Sequence, residues 1–270
     1  MLTLMRNILF QIAYWATSAF FAVAALPLLI LPSRRPLMAW ILGYTRVMCF
    51  WLRWIAGIKI TIRGKERLPE GPCIIAAKHQ SWGDGFVMFS QFFDLAFVTG
   101  AHLENYPLIG GILRKMGAIV VDNCGGAYAR ARLVDRDMKK AKAENRRILI
   151  YPEGHLSPVG QRHRYRKGVF HMYQAYGCAV APVATNLGLR WPQQSWRLKP
   201  GEAVIEFLDP IVSGLDKQTF MARLEQVIEA RSIELLGEER PQGAAIGAVL
   251  SDPEHEARDR NRRRQFPRFQ

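Results

Sequence analysis

Seven consecutive residues, Lys78-His79-Gln80-Ser81-Trp82-Gly83-Asp84, carry the combination best suited to proton transfer. An imidazole titrates near neutrality, and a carboxylate bonded to one ring nitrogen fixes the tautomer and leaves the other nitrogen as a base. His79 and Asp84 are five residues apart. On one continuous helix they would point about 140° apart, at roughly 100° per residue. They meet only if His79 sits in a loop and Asp84 in the first turn of the following helix. Gly83 and Gly85 permit that turn, and a carboxylate at a helix start is favoured by the dipole. Ser81 has no Gly-x-Ser-x-Gly elbow around it, which argues against a serine hydrolase. A His–carboxylate pair without a neighbouring nucleophile suits deprotonation of a substrate hydroxyl. The same two residues also suit plain loop and helix caps, so the pair alone leaves both readings open.

A second polar segment is Tyr151-Pro152-Glu153-Gly154-His155-Leu156-Ser157, followed by Gly160, Arg162, Arg164, Arg166, Lys167 and Gly168. A Glu-Gly pair at a strand end with a basic run behind it suits a polar headgroup; a solvated surface loop is the alternative. The apolar run Val180-Ala181-Pro182-Val183 contains a proline and is expected on an edge or bulged strand. His102, His163 and His171 have no partner at comparable spacing and read as surface or packing residues.

The elements that must position these groups follow from the apolar pattern. Short β-branched runs recur at residues 60–62, 73–77, 95–99, 118–121, 148–151, 179–184 and 204–208. Helical stretches at 128–144, 169–176 and 216–236 lie between or after them. This alternation predicts an α/β fold, a mixed, mostly parallel sheet flanked by helices. The polar segments at 78–84 and 151–157 both follow strands directly, where α/β sheets bind ligands.

Ahead of the sheet, residues 7–33 contain no charge. The core of this run, residues 8–31, makes a helix of roughly 36 Å, enough for a hydrocarbon layer of about 30 Å. It is too long for the apolar part of a signal peptide, and Pro27 should stop or kink it. Charge on both flanks gives no firm orientation. Residues 37–62 are also apolar but are interrupted by Arg46, Arg53 and Lys59, with Trp40, Trp51 and Trp54 among them. That pattern predicts a helix lying in the headgroup region; a second spanning helix with snorkelling arginines is the alternative. The expected organisation is 1–58 as membrane-anchoring helices, 59–236 as the catalytic domain and 237–270 as a disordered basic tail.

The chain has 270 residues and a formal net charge of +14. Such a balance attracts nucleic acid, anionic membranes or anionic substrates. The basic residues are dispersed and form no recognisable nucleic-acid motif, so no nucleic-acid partner is expected. The four cysteines make no Cys-x-x-Cys pair, which excludes a zinc ribbon; no metal site and no cofactor are expected.

Four blocks in order give a resemblance. The His-x4-Asp of His79 and Asp84 is followed by Pro107-Leu108-Ile109-Gly110 through Gly117-Ala118-Ile119-Val120-Val121-Asp122, then Glu153-Gly154, then Val180-Ala181-Pro182-Val183. Over about residues 60–236 this resembles the PlsC-type 1-acylglycerol-3-phosphate O-acyltransferases. The resemblance implies that His79 is the general base on an acceptor hydroxyl and that Asp84 orients it. It implies that the acyl donor is acyl-CoA or acyl-carrier protein and that the later blocks bind a lysolipid. It also implies membrane lipids as partners and a bacterial cytoplasmic membrane location, with the catalytic domain facing the cytoplasm. Glu153, Gly154, His155, Asn123, Arg162 and Arg164 are then the expected acceptor-binding residues.

Two departures bear on the acceptor. The second block usually ends Asp-Arg and here reads Asp122-Asn123; the third is usually Glu-Gly-Thr-Arg and here reads Glu153-Gly154-His155-Leu156. Two missing charged hydrogen bonds would cost about 3–6 kcal/mol toward a phosphate. Either Arg162, Arg164 or Arg166 replaces them, or the acceptor lacks a phosphate. The leading expectation is lysophosphatidic acid converted to phosphatidic acid. The alternatives are a phosphate-free lyso-aminolipid and a non-catalytic basic membrane-binding protein.

Overall fold

The structure, a computed structural model, describes residues 1–105, 108–121, 127–193, 195–241 and 246–251, the side chains of 102, 105 and 127–133 excepted. Helix α1 (Leu2–Ala24) is followed by one turn, α2 (Leu26–Leu29), and by α3 (Arg35–Trp54). The break falls where Pro27 predicted it: Pro27 lies in the first turn of α2, where a missing N–H costs nothing.

The sheet strands are β1 (Ile58–Arg63), β2 (Ile74–Ala77), β3 (Ala96–Gly100), β4 (Ile119–Val121) and β5 (Ile148–Ile150). A two-residue strand β6 (Arg162–His163) lies outside the sheet, which is completed by β7 (Val180–Thr185) and β8 (Gly201–Phe207). Helices α4 (Gly83–Gln91), α5 (Ile109–Met116), α6 (Ala127–Ala143), α7 (Gly168–Tyr176) and α8 (Lys217–Glu234) cover it. The strand order is β1-β8-β7-β2-β5-β3-β4, parallel throughout except between β7 and β8. All seven strands coincide with apolar runs in the sequence.

Those runs are continuous because the central strands are buried on both faces. Ile75 and Leu149 enter one core with Val87 and Met88 of α4 and with Phe10 and Leu52 of α1 and α3. Their neighbours Ile74 and Ile148 point the other way, to Tyr173 of α7 and to Phe220, Leu224 and Ile228 of α8. Residues 1–58 thus share a core with the sheet.

The proline-containing strand is a correction. β7 lies inside the sheet, between β8 and β2, with Pro182 opposite Ala76. The Pro182 carbonyl accepts from Leu208 N on the β8 side, and the β7–β8 pairing begins only at Val183. The missing N–H therefore faces β8 at the very end of the β7–β8 pairing, while the side facing β2 keeps its ladder.

Two other expectations change. Residues 37–62 divide at Trp54 into α3 and the edge strand β1. In the tail, strand β9 (Val249–Leu250) pairs with β6, and Gly247 N donates to Gly160 O at 2.7 Å. The rest of the basic tail, 252–270, lies outside the described residues.

Candidate active site

The β2 ladder continues one residue past its end, with Lys78 N donating to Val183 O at 2.9 Å, and the chain then leaves the sheet. His79 sits in the connecting loop, and Asp84 occupies the first turn of α4. His79 Nδ1 is 3.0 Å from Asp84 Oδ2. The same oxygen accepts from the backbone N–H of Gln80 and Ser81, each at 2.8 Å. Ser81 Oγ accepts from Gly83 N at 3.0 Å and closes the turn. Gly83 is needed for close approach: a Cβ there would stand 2.9 Å from the Trp191 ring. Asp84 is 2% exposed and the His79 side chain 22%. With Nδ1–H donated to the carboxylate, Nε2 keeps its lone pair, and it has no partner among the described residues.

Tyr151, at the end of β5, fixes the other face of the imidazole. The two rings stack with centroids 3.9 Å apart and planes at 15°. Burial, and secondarily the Asp84 charge, push the phenol well above its ordinary range, so it stays protonated. Tyr151 Oη, Asp84 Oδ1 and Gln80 Oε1 are buried and have no hydrogen-bond partner among the described residues. Buried polar atoms are nearly always satisfied, so the residues that contact or adjoin His79 have capacity for a polar visitor.

The expected acceptor-binding residues divide sharply. Glu153 is fully buried. One oxygen accepts from Lys78 Nζ at 3.1 Å, from His163 N at 2.9 Å and from Ser157 Oγ; the other accepts from His79 N at 3.4 Å. Its carboxylate is spent on the fold of the loop, which corrects the expectation of a headgroup contact. Arg162 pairs through one guanidinium nitrogen with Glu225 on α8. Gly154 adopts φ +72° and lies against Arg166, whose Nε would be 3.3 Å from an added Cβ. Arg166 Nη2 donates to His155 Nε2 at 2.7 Å. Arg164 is exposed and has no side-chain partner among the described residues. Arg166 thus lies beside Gly154 and His155, two residues ahead of α7, with Lys167 at the helix start. Asn123 lies outside the described residues.

Comparison with known proteins decides the class. Residues 59–186 match the acyltransferase family. The chain is 30% identical over 243 residues to a 1-acyl-sn-glycerol-3-phosphate acyltransferase of Pseudomonas aeruginosa, covering 89% of this chain and 90% of that one. The chain belongs to the acyltransferase family. Another relative of this acyltransferase is a lyso-ornithine lipid O-acyltransferase of the same organism, 24% identical over 68% of this chain and 77% of that one. The fold is that of the PlsC acyltransferase of Thermotoga maritima, with a TM-score of 0.70, 18% identity, and coverage of 88% of this chain and all of that one. The enzyme is therefore an acyltransferase of the 1-acylglycerol-3-phosphate type, acting between an acyl donor and a lysolipid acceptor.

Some groups around the acyltransferase site were not assigned a role from sequence. Tyr151 gave no signal, since an aromatic at a strand end is ordinary. Lys78 follows an apolar strand directly, a weak sign of burial. Glu229 of α8 lies 151 residues from Lys78 yet meets its Nζ at 2.9 Å. Only the apolar stripe of Phe220, Leu224 and Ile228 beside Glu229 hints that it faces inward.

Proposed function

We propose that His79 is the general base that activates the free hydroxyl of lysophosphatidic acid, and that the product is phosphatidic acid. The observation that carries the mechanism is the His79–Asp84 bond, which leaves Nε2 without a partner among the described residues. Nε2 takes the hydroxyl proton as the oxygen attacks the thioester carbonyl carbon. The tetrahedral intermediate collapses, the C–S bond breaks, and the imidazolium returns the proton to the leaving thiolate. The donor is acyl-CoA or acyl-carrier protein, both of which present this thioester.

The acceptor phosphate is read at Arg166 and Arg164. Arg166 lies over Gly154 in the third block and bonds His155, and the α7 N-terminus adds its dipole. Similarity to the 1-acyl-sn-glycerol-3-phosphate acyltransferase over 90% of that chain supports this acceptor. A phosphate-free lyso-aminolipid is the second reading, favoured by His155 and Leu156 and by the lyso-ornithine relative.

Membrane attachment is part of the same reading. Helix α1 is the one described helix long and apolar enough to cross a bilayer. Its inner side is docked, with Asn7 exchanging two hydrogen bonds with the Leu198 backbone, while Ile8, Ile12, Trp15, Phe20 and Val23 face outward. That uncharged face supports attachment to a bilayer; the cytoplasmic side of a bacterial inner membrane is the location that suits an acyl thioester donor.

An acceptor panel tests the proposal. Purified, detergent-solubilised enzyme receives a labelled acyl thioester with either lysophosphatidic acid or a lyso-aminolipid, and the His79→Ala protein is the blank. Preferential acylation of lysophosphatidic acid, lost in Arg166→Ala, is expected. Preferential acylation of the aminolipid would replace the first reading with the second.

A further inference from the structure

We propose that Lys78 and Glu229 are positioning residues of the acyltransferase site, through which helix α8 fixes the loop that carries His79. The inference rests on the reading of His79 as the base. Lys78 is 1% exposed, and a buried ammonium is tolerated only with full compensation. Its Nζ has it: Glu153 Oε2 at 3.1 Å, both oxygens of Glu229 at 2.9 Å and the Gln161 carbonyl at 2.9 Å. Glu229 also accepts from Tyr165 Oη at 2.8 Å.

From this bridge the constraint passes to His79 within one residue. Glu153 accepts from the His79 N–H, and Ser157 N donates to the His79 carbonyl at 2.7 Å. The peptide units on both sides of the base are therefore tied to the 153–157 loop. The carboxylate of that loop is held by Lys78, and Lys78 is held by α8. The helix is itself anchored, since Phe220, Leu224 and Ile228 are fully buried against β7 and its neighbours. Glu229 lies outside the four sequence blocks, and its link to the site is visible only in three dimensions. Displacing reacting groups by about 1 Å can cost on the order of 10²-fold in rate. A bridge that sets the Lys78 backbone therefore acts on turnover, whereas Glu229 has no part in holding either substrate.

The test uses the full-length, detergent-solubilised enzyme and four variants: Glu229→Leu, Glu229→Gln, the double Lys78→Met/Glu229→Leu, and His79→Ala. Glu229→Leu should lower kcat about 10- to 100-fold, with KM for the thioester and for the lysolipid changed less than about threefold. Glu229→Gln keeps an acceptor for Lys78 and Tyr165 and should return kcat to within about threefold of the parent. The double variant leaves no unpaired ammonium, while Glu153 keeps Ser157 and the two backbone donors. It should melt as a folded protein with kcat about 10- to 100-fold below the parent, as in Glu229→Leu. If Glu229→Leu does not fold, the double variant is read in its place. Parental kcat in Glu229→Leu or in the double variant, or a loss carried wholly by KM, would overturn the proposal. Activity surviving in His79→Ala would instead defeat the reading of the base.

Discussion

At the amino ends of the central strands half-buried charges pair with one another around the buried Arg146; at their carboxyl ends charge is buried beside open polar capacity. Arg34 binds Asp94 through two bonds of 2.8 and 2.7 Å and Glu144 at 2.8 Å. Arg146 meets Asp94 at 3.1 Å and donates to the carbonyls of Asp94, Gly117 and Met116. Among the described residues near that end, Arg147 Nε is the one buried side-chain polar atom without a hydrogen-bond partner. The other end also pairs its ions, through Lys78, Glu153 and Glu229, but leaves Asp84 Oδ1, Tyr151 Oη and Gln80 Oε1 without partners. Both ends hold the fold, and only one keeps donors and acceptors in reserve around an imidazole. Stability and turnover should therefore separate when the two ends are mutated.

The sharpest break is expected from Asp84→Asn. It keeps the shape but supplies the wrong hydrogen-bond partner for the imidazole, so kcat should fall by about 10²–10⁴ while the melting temperature barely moves. Steady-state kinetics with a thermal melt checks both halves. Arg146→Ala is the converse. Removing one partner of a buried pair costs about 3 kcal/mol of stability, and kcat per folded molecule should stay at the parental value. Denaturant unfolding beside activity in the cold would show a loss in the first alone.

A smaller effect separates the ring of Tyr151 from its hydroxyl. Tyr151→Leu removes the stack on His79 and should lower kcat about tenfold, whereas Tyr151→Phe keeps the stack and should stay within about threefold. Equal losses in the two variants would place the unpartnered hydroxyl in the reaction. The smallest effect concerns pH. Burial outweighs Lys78 and raises the Glu229 carboxyl above its ordinary value, so the folded protein holds that proton to higher pH than the unfolded chain. The stability from this group is full below the ordinary carboxylate range and is lost as pH rises through the raised value. Glu229→Gln should flatten that slope in denaturant midpoints measured across the acid range.

Much of the molecule is legible in the sequence for a physical reason. Strands buried on both faces must be continuously apolar, so the central strands stand out between polar segments, while the edge strand β1 shows only the alternating Ile58, Ile60 and Ile62. His79 and Asp84 are legible because five residues of loop and helix start can join them. The interior place of β7 is hidden, since Pro182 falls where the β7–β8 pairing ends, and that depends on register with β8. Arg162, Arg164 and Arg166 look equivalent as an alternating run. They differ because β6 ends at His163: Arg162 meets Glu225, and Arg166 lies over Gly154. Lys78 and Glu229 are hidden because a lysine and a helical glutamate normally signal solvent, and their pairing joins distant parts of the chain.

The most direct test of the central claim is turnover by the His79→Ala protein with lysophosphatidic acid and a labelled acyl thioester, beside the parent and with its melt recorded. The account predicts a folded protein whose kcat is lower by about 10²–10⁴. A folded His79→Ala protein that turns over at the parental rate would contradict it.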